Sequence, residues 1–216
     1  MLSSLTTVVL ISGDGSNLQT LIDQLHSTDA PVTIKAVISN KAQAHGLVRA
    51  EKANIPTHTV SHAQFPERRD FDRELIRTID AYQPQLVILA GFMRILTAEF
   101  VQHYRDRLIN IHPSLLPQFR GLNTHARALQ AAVREHGASV HFVTEDLDSG
   151  PVAVQAAVPV LDGDTEQSLS QRVLQQEHII YPLAVLWIAE GRLKIHNEQL
   201  FFDNKELNHP IRIKPE

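Results

Sequence analysis

The stretch TVVLISGDGSNLQ, residues 7–19, decides how this chain folds. Its apolar, β-branched half, residues 7–11, reads as a strand buried on both faces, and its glycine-rich half turns the chain. Residues 17–25 then carry apolar side chains at helical spacing. Strand, tight turn and helix in that order open a βαβ unit. The alternation recurs, with further strands at 34–39, 86–90 and 108–111 and crossover helices at 45–53, 69–81 and 98–104. It predicts an α/β fold with a doubly wound, mostly parallel sheet.

Beyond a helix expected at 123–134, segments 139–143 and 153–160 alternate as strands do and are predicted to pair as antiparallel edge strands. A long C-terminal helix is predicted from Glu166 to Ala189, capped by Asp164 or Thr165, with Pro182 as an internal kink or break. A weak hairpin signal covers 193–196 and 199–202, and residues 203–216 read as a poorly ordered tail. No repeat or linker divides the sequence, so residues 1–216 are expected to form one domain.

Composition narrows the function. Hydrophobic residues make up 43% and charged residues 20% of 216, which is ordinary globular material. The net charge of −4 comes from interspersed signs without a basic block, so nucleic acid is not an expected partner. The sequence holds no cysteine, which excludes disulfides, thiolate metal sites and cysteine nucleophiles and suits a reducing, cytoplasmic setting. The N-terminus lacks the basic flank of a signal peptide, and no apolar run is long enough to span a membrane.

The loop Ser12-Gly13-Asp14-Gly15-Ser16-Asn17 opens a helix, where free backbone N–H groups and the helix dipole favour a phosphate. Dinucleotide binding needs a small residue where Leu18 stands and an acid where Ser39-Asn40-Lys41 stands. A P-loop needs Gly-Lys-Ser/Thr, which does not follow. A phosphate monoester, or simply a tight turn, is left.

Asn110-Ile111-His112-Pro113 ends a strand, and residues two apart project to one side, so the amide of Asn110 and the imidazole of His112 face one cleft. Ligands of open α/β sheets bind beyond the strand carboxyl ends, where the 13–17 loop also belongs, so phosphate and imidazole are expected to be neighbours. An amide donor beside an imidazole suits acyl or formyl transfer: one group stabilises an oxyanion while the other handles the proton of the attacking amine. Asp148, in a turn marked by Gly150 and Pro151, is the candidate carboxylate to favour the charged ring.

The strings GFMRIL from Gly91, NIHPSLLP from Asn110, HFVTEDLDSGPV from His141 and QEHIIYPL from Gln176, together with VVLISGDGSNLQ, resemble the phosphoribosylglycinamide formyltransferases. The likeness runs from about Thr7 to Lys194. It implies the Rossmann-like formyltransferase fold and transfer of the formyl group of 10-formyltetrahydrofolate to the amine of glycinamide ribonucleotide, without a metal. By the same resemblance Asn110, His112 and Asp148 are catalytic, Gly15, Ser16 and Asn17 hold the phosphate, and Glu177 contacts the ribose. Arg68, Met93, Arg94, Ile95 and Leu96, with Asn110, Thr144, Glu145, Asp146, Leu147 and Asp148, border the folate.

The run Phe92–Leu96 independently offers flexible apolar surface for a flat ring, though it also reads as ordinary core. Two departures stand out. Asp14 occupies a place where the family often has Asn, and Gln118-Phe119-Arg120-Gly121-Leu122-Asn123 replaces the usual Tyr/Phe-Pro-Gly-Leu-His. The role of His125 is open. Partners are expected to be small molecules, with the chain a monomer or a homodimer. Alternatives are a hydrolase, a formyltransferase acting on another amine with the same folate, or a noncatalytic folate- or nucleotide-binding protein.

Overall fold

The computed structural model describes residues 4–214. The chain forms two compact units, divided between Ile109 and Asn110. In the first, β1 (Leu5–Ile11), α1 (Ser16–Leu21), β2 (Val32–Ser39), α2 (His45–Lys52), β3 (Thr57–Thr59), α3 (Arg68–Asp80), β4 (Leu86–Leu89) and α4 (Ala98–His103) follow one another. The strands lie in the order β4-β1-β2-β3 and all pair parallel. Val8, Val9, Leu10 and Ile11 of β1 are completely buried, which is why this strand reads as a continuous apolar run.

In the second unit, β5 (Leu108–His112), which begins before the division, is followed by α5 (Thr124–Gln130), β6 (Glu135–Phe142), β7 (Val152–Pro159), α6 (Glu166–Ala189), β8 (Leu193–His196), β9 (Gln199–Phe202), β10 (Lys205–Glu206) and β11 (Ile211–Ile213). β6 and β7 pair antiparallel, as their alternation predicts. The outer side of β7 is taken by β11, running parallel to it. β8, β9 and β10 make a separate antiparallel sheet. The α/β class, the mostly parallel sheet and the long C-terminal helix are as the sequence predicts.

Differences arise where tertiary contacts override local pattern. The helix predicted at 123–134 stops at Gln130, since Ala132 takes a left-handed φ of 47° and Glu135 already belongs to β6. The predicted helix at 17–25 changes at Ile22 into a π-helical stretch, Ile22–His26. α6 runs through Pro182 without a break. Thr165 caps it: its hydroxyl accepts from Ser168 N–H and the Ser168 hydroxyl returns the bond, while Asp164 pairs with Arg172 at 2.8 Å. Within the stretch expected to be a poorly ordered tail, β10 and β11 are formed, because β7 offers Ile211–Ile213 a ladder that short segment cannot supply for itself. Residues 215–216 of that stretch lie outside the described residues.

Candidate active site

β5 delivers Asn110 and His112 two residues apart, and the loop after β6 delivers Asp148. Gly150 closes that loop at its base. A Cβ there would stand 1.9 Å from the carbonyl oxygen of Phe142, so only glycine lets the backbone pass this close. Phe142 N–H bonds to Pro151 O at 3.0 Å across the same neck. The turn presents Asp148 in a left-handed conformation, φ 49°, which a non-glycine residue keeps only when its surroundings hold it.

Its carboxylate points inward and is held twice. Oδ2 accepts the N–H of Gly121 at 2.8 Å and lies 3.4 Å from Nδ1 of His112. The second separation is long for a hydrogen bond and is an electrostatic contact. With side chains only 7% and 9% exposed, His112 and Asp148 are shielded from solvent, so the attraction between carboxylate and imidazolium is weakly screened. The other ring nitrogen of His112, Nε2, faces the carbonyl of Phe119 at 3.1 Å. Both ring nitrogens therefore face oxygen acceptors, Nε2 at hydrogen-bond distance and Nδ1 beyond it.

Asn110 is oriented by a residue that sequence reasoning passed over, His141 at the end of β6. The amide Nδ2 of Asn110 lies 3.1 Å from Nε2 of His141, whose Nδ1 lies 3.1 Å from the carbonyl of Phe142. Burial pushes the pKa of His141 well below the usual imidazole value, against the raising effect of Asp148, whose Oδ1 is 3.8 Å away. A neutral ring that donates through Nδ1 to Phe142 can accept the Asn110 amide at Nε2. The only available signal was strand register, since a lone strand histidine ordinarily reads as a packed core residue.

In the first unit, the loop 13–17 leads into α1, whose N-terminus has Gly15 in a left-handed conformation, no side-chain cap and no acid in its first turn. A Cβ on Gly15 would lie 2.7 Å from Cα of Gly46. Asp14 turns its exposed carboxylate to Arg49 at 3.0 Å and His45 at 3.3 Å, and Arg49 also bonds the Asp14 carbonyl and Gln19. The negative charge at the departure from the family pattern is thereby paired with Arg49.

The segment after β4 is pinned at two points. Met93 N–H donates to Ser12 Oγ at 2.7 Å, and Thr97 N–H donates to Asp72 Oδ2 at 2.6 Å. Between these points Met93 and Ile95 stand 65% and 56% exposed, so this apolar run is surface, not core. Asp72 itself is buried, which raises its pKa; its bonds to Thr97 and the charges of Arg68 and Arg94 oppose that rise. The predicted border residues Arg68 and Arg94 thus share one carboxylate neighbour. Leu147 is also exposed and Glu177 lies buried in α6.

The family model described as formyl transferase matches residues 5–185. This chain belongs to the formyl transferase family. It is 55% identical over 200 residues to the phosphoribosylglycinamide formyltransferase of Escherichia coli K12, spanning 93% of this chain and 94% of that one. The human trifunctional purine biosynthetic protein adenosine-3 is 46% identical over 187 residues, covering 87% of this chain and 18% of that much longer relative. The solved phosphoribosylglycinamide formyltransferase of Coxiella burnetii superposes with a TM-score of 0.92 at 52% identity, covering 97% of this chain and 100% of that one.

Further histidines lie around His112 and Phe119. His136 is 1% exposed and packs edge-on between Phe119, at 5.8 Å, and His125, at 5.2 Å. Burial above all, then the neighbouring His125 and His112, pushes its pKa down to about 4. His125 is lowered too, mainly by burial. A folded-state pKa below the unfolded value of about 6.5 means that the unfolded chain binds protons first as pH falls. The stability contributed by neutral His136 is therefore complete above about pH 6.5 and is lost between there and about pH 4. The loss amounts to roughly 3 kcal/mol at most. Denaturant unfolding measured from pH 7 to pH 4.5 is expected to show a shallower decline in His136→Leu than in the parent; equal slopes would contradict this.

Proposed function

We propose that the chain transfers the formyl group of 10-formyltetrahydrofolate to the primary amine of glycinamide ribonucleotide, a step of de novo purine synthesis. The observation that carries this reading is the contact of His112 with Asp148, to which Asn110 is linked through His141, in a chain 55% identical to a phosphoribosylglycinamide formyltransferase. 10-Formyltetrahydrofolate supplies the electrophilic carbon. An amide has two N–H donors, so Asn110 can satisfy His141 with one and stabilise the developing oxyanion with the other. The amine forms its bond to the formyl carbon as the folate nitrogen's bond to that carbon breaks. His112 as imidazolium supports the oxyanion, gives its proton to the leaving folate nitrogen and regains one from the attacking amine, and Asp148 offsets its charge. No step in this scheme calls for a metal.

In this reading Gly15, Ser16 and Asn17 hold the ribonucleotide phosphate and Glu177 its ribose. Arg68, Met93, Arg94, Ile95 and Leu96, with Asn110, Thr144, Glu145, Asp146, Leu147 and Asp148, border the folate. The exposure of Met93 and Ile95 supports the latter, and the uncapped start of α1 the former. The family match spans residues 5–185 and so both units, which supports one formyltransferase domain. The protein acts on small molecules in the cytoplasm, as a monomer or a homodimer.

Gly15→Val is expected to weaken ribonucleotide binding at least about tenfold, given the strain of a branched residue in a left-handed conformation, and to spare folate binding. Calorimetric titration of each ligand checks this; equal losses of both in a folded variant would contradict it. The reaction itself is tested by tetrahydrofolate release with and without glycinamide ribonucleotide. Release that depends on the amine supports transfer. Release without it indicates a hydrolase, and binding without release a noncatalytic protein.

A further inference from the structure

We infer that Arg127 is a positioning residue for the catalytic pair, acting by clamping the loop that carries their backbone partners. The inference rests on the proposed roles of His112 and Asp148. Each of them is held by one backbone group of the segment before α5: the Phe119 carbonyl faces His112 Nε2 at 3.1 Å, and the Gly121 N–H donates to Asp148 Oδ2 at 2.8 Å. A shift of this segment moves both partners together.

The segment does not hold itself. Phe119, Gly121 and Asn123 have φ values of 53°, 79° and 55°, so left-handed residues alternate along it. Asn123 tolerates this conformation, but Phe119 is a bulky L residue that keeps it only when the surroundings impose it. Arg127 supplies that restraint. Its Nη1 donates to the carbonyl of Arg120 at 2.6 Å and reaches that of Leu122 at 3.4 Å, so the guanidinium grips the carbonyls of the two residues that flank Gly121. The same guanidinium lies over the Phe119 ring, 5.6 Å from its centre. Arg127 is anchored in turn, because its own N–H bonds to Asn123 O at 3.0 Å in the first turn of α5.

A planar fork suits this task and an ammonium does not, since one face must cover a ring while the edge reaches two carbonyls. The departure at 118–123 from the usual family pattern thus comes with its own clamp four residues beyond Asn123.

The test compares Arg127→Ala, Arg127→Gln and Arg127→Lys in the full chain. Nitrogen-15 spectra of the histidine rings report the His112 Nε2–H bond independently of turnover. The expected result is loss or broadening of that ring signal in the Ala and Gln variants. Their kcat should fall about tenfold, the worth of a charge-assisted hydrogen bond, with KM for both substrates within about twofold. Methylguanidinium should restore part of the Ala variant's kcat, and Lys should restore little. An unchanged ring signal and kcat in Arg127→Ala would overturn the inference. So would a fall in kcat that tracks a lowered Tm and resists methylguanidinium. A ring signal lost in the variant while the parent protein transfers no formyl group would instead refute the proposed function and leave the clamp standing.

Discussion

His112→Ala is expected to lower turnover by at least about a hundredfold, the usual cost of losing an acid–base group, while the protein stays folded. The ring sits at the end of β5 with both nitrogens facing acceptors, the Phe119 carbonyl and the Asp148 carboxylate. Alanine removes the proton carrier and leaves Asp148 bound by Gly121 alone among these contacts. Binding of ribonucleotide and folate should change much less than kcat, because His112 is not itself among the residues proposed to hold either ligand. Steady-state kinetics with both ligands titrated separately decides it. Turnover near that of the parent would remove His112 from the mechanism.

Asp148→Asn is expected to cost about as much, roughly a hundredfold in kcat, by a different route. The amide keeps the size of the carboxylate and can still accept from Gly121 N–H, so the loop has no steric reason to move. What disappears is the negative charge 3.4 Å from His112 Nδ1. His141 loses the same neighbour, but its Nε2 takes its hydrogen bond from Asn110 and not from Asp148, so the orientation of the Asn110 amide is retained. The discriminating comparison is kcat against Tm and ribonucleotide affinity, since Asp148 itself borders the folate in the proposed site. A large drop in kcat with the other two unchanged is electrostatic; a parallel drop in Tm would show that Asp148 serves the turn instead of the ring.

The parts of this fold that local pattern controls were legible. The helix from Glu166 to Ala189 and the hairpin strands at 193–196 and 199–202 have the bounds that periodicity and turn chemistry assign them. What pattern missed depends on distant partners. Thr57–Thr59 and Ile211–Ile213 are too short to signal a strand and exist by pairing with β2 and β7. The alanine-rich stretch after Gln130 has good helix propensity, yet the chain turns at Ala132 to reach the β6 ladder.

The candidate site divides in the same way. Asn110 and His112 share a strand face by the period of two, and Gly150 and Pro151 mark the turn that aims Asp148. His141 was invisible because its relevance lies in Asn110, 31 residues away on another strand. The pairing of Asp14 with Arg49, 35 residues on, was equally beyond local reading, so its charge appeared unbalanced beside the loop.

The most direct test follows the reacting carbon. With 10-formyltetrahydrofolate labelled with carbon-13 at the formyl group, the resonance should pass from the folate to a formamide on glycinamide ribonucleotide, at a rate that collapses in His112→Ala. A label that ends as free formate, or that stays on the folate in the presence of the amine, would contradict the account.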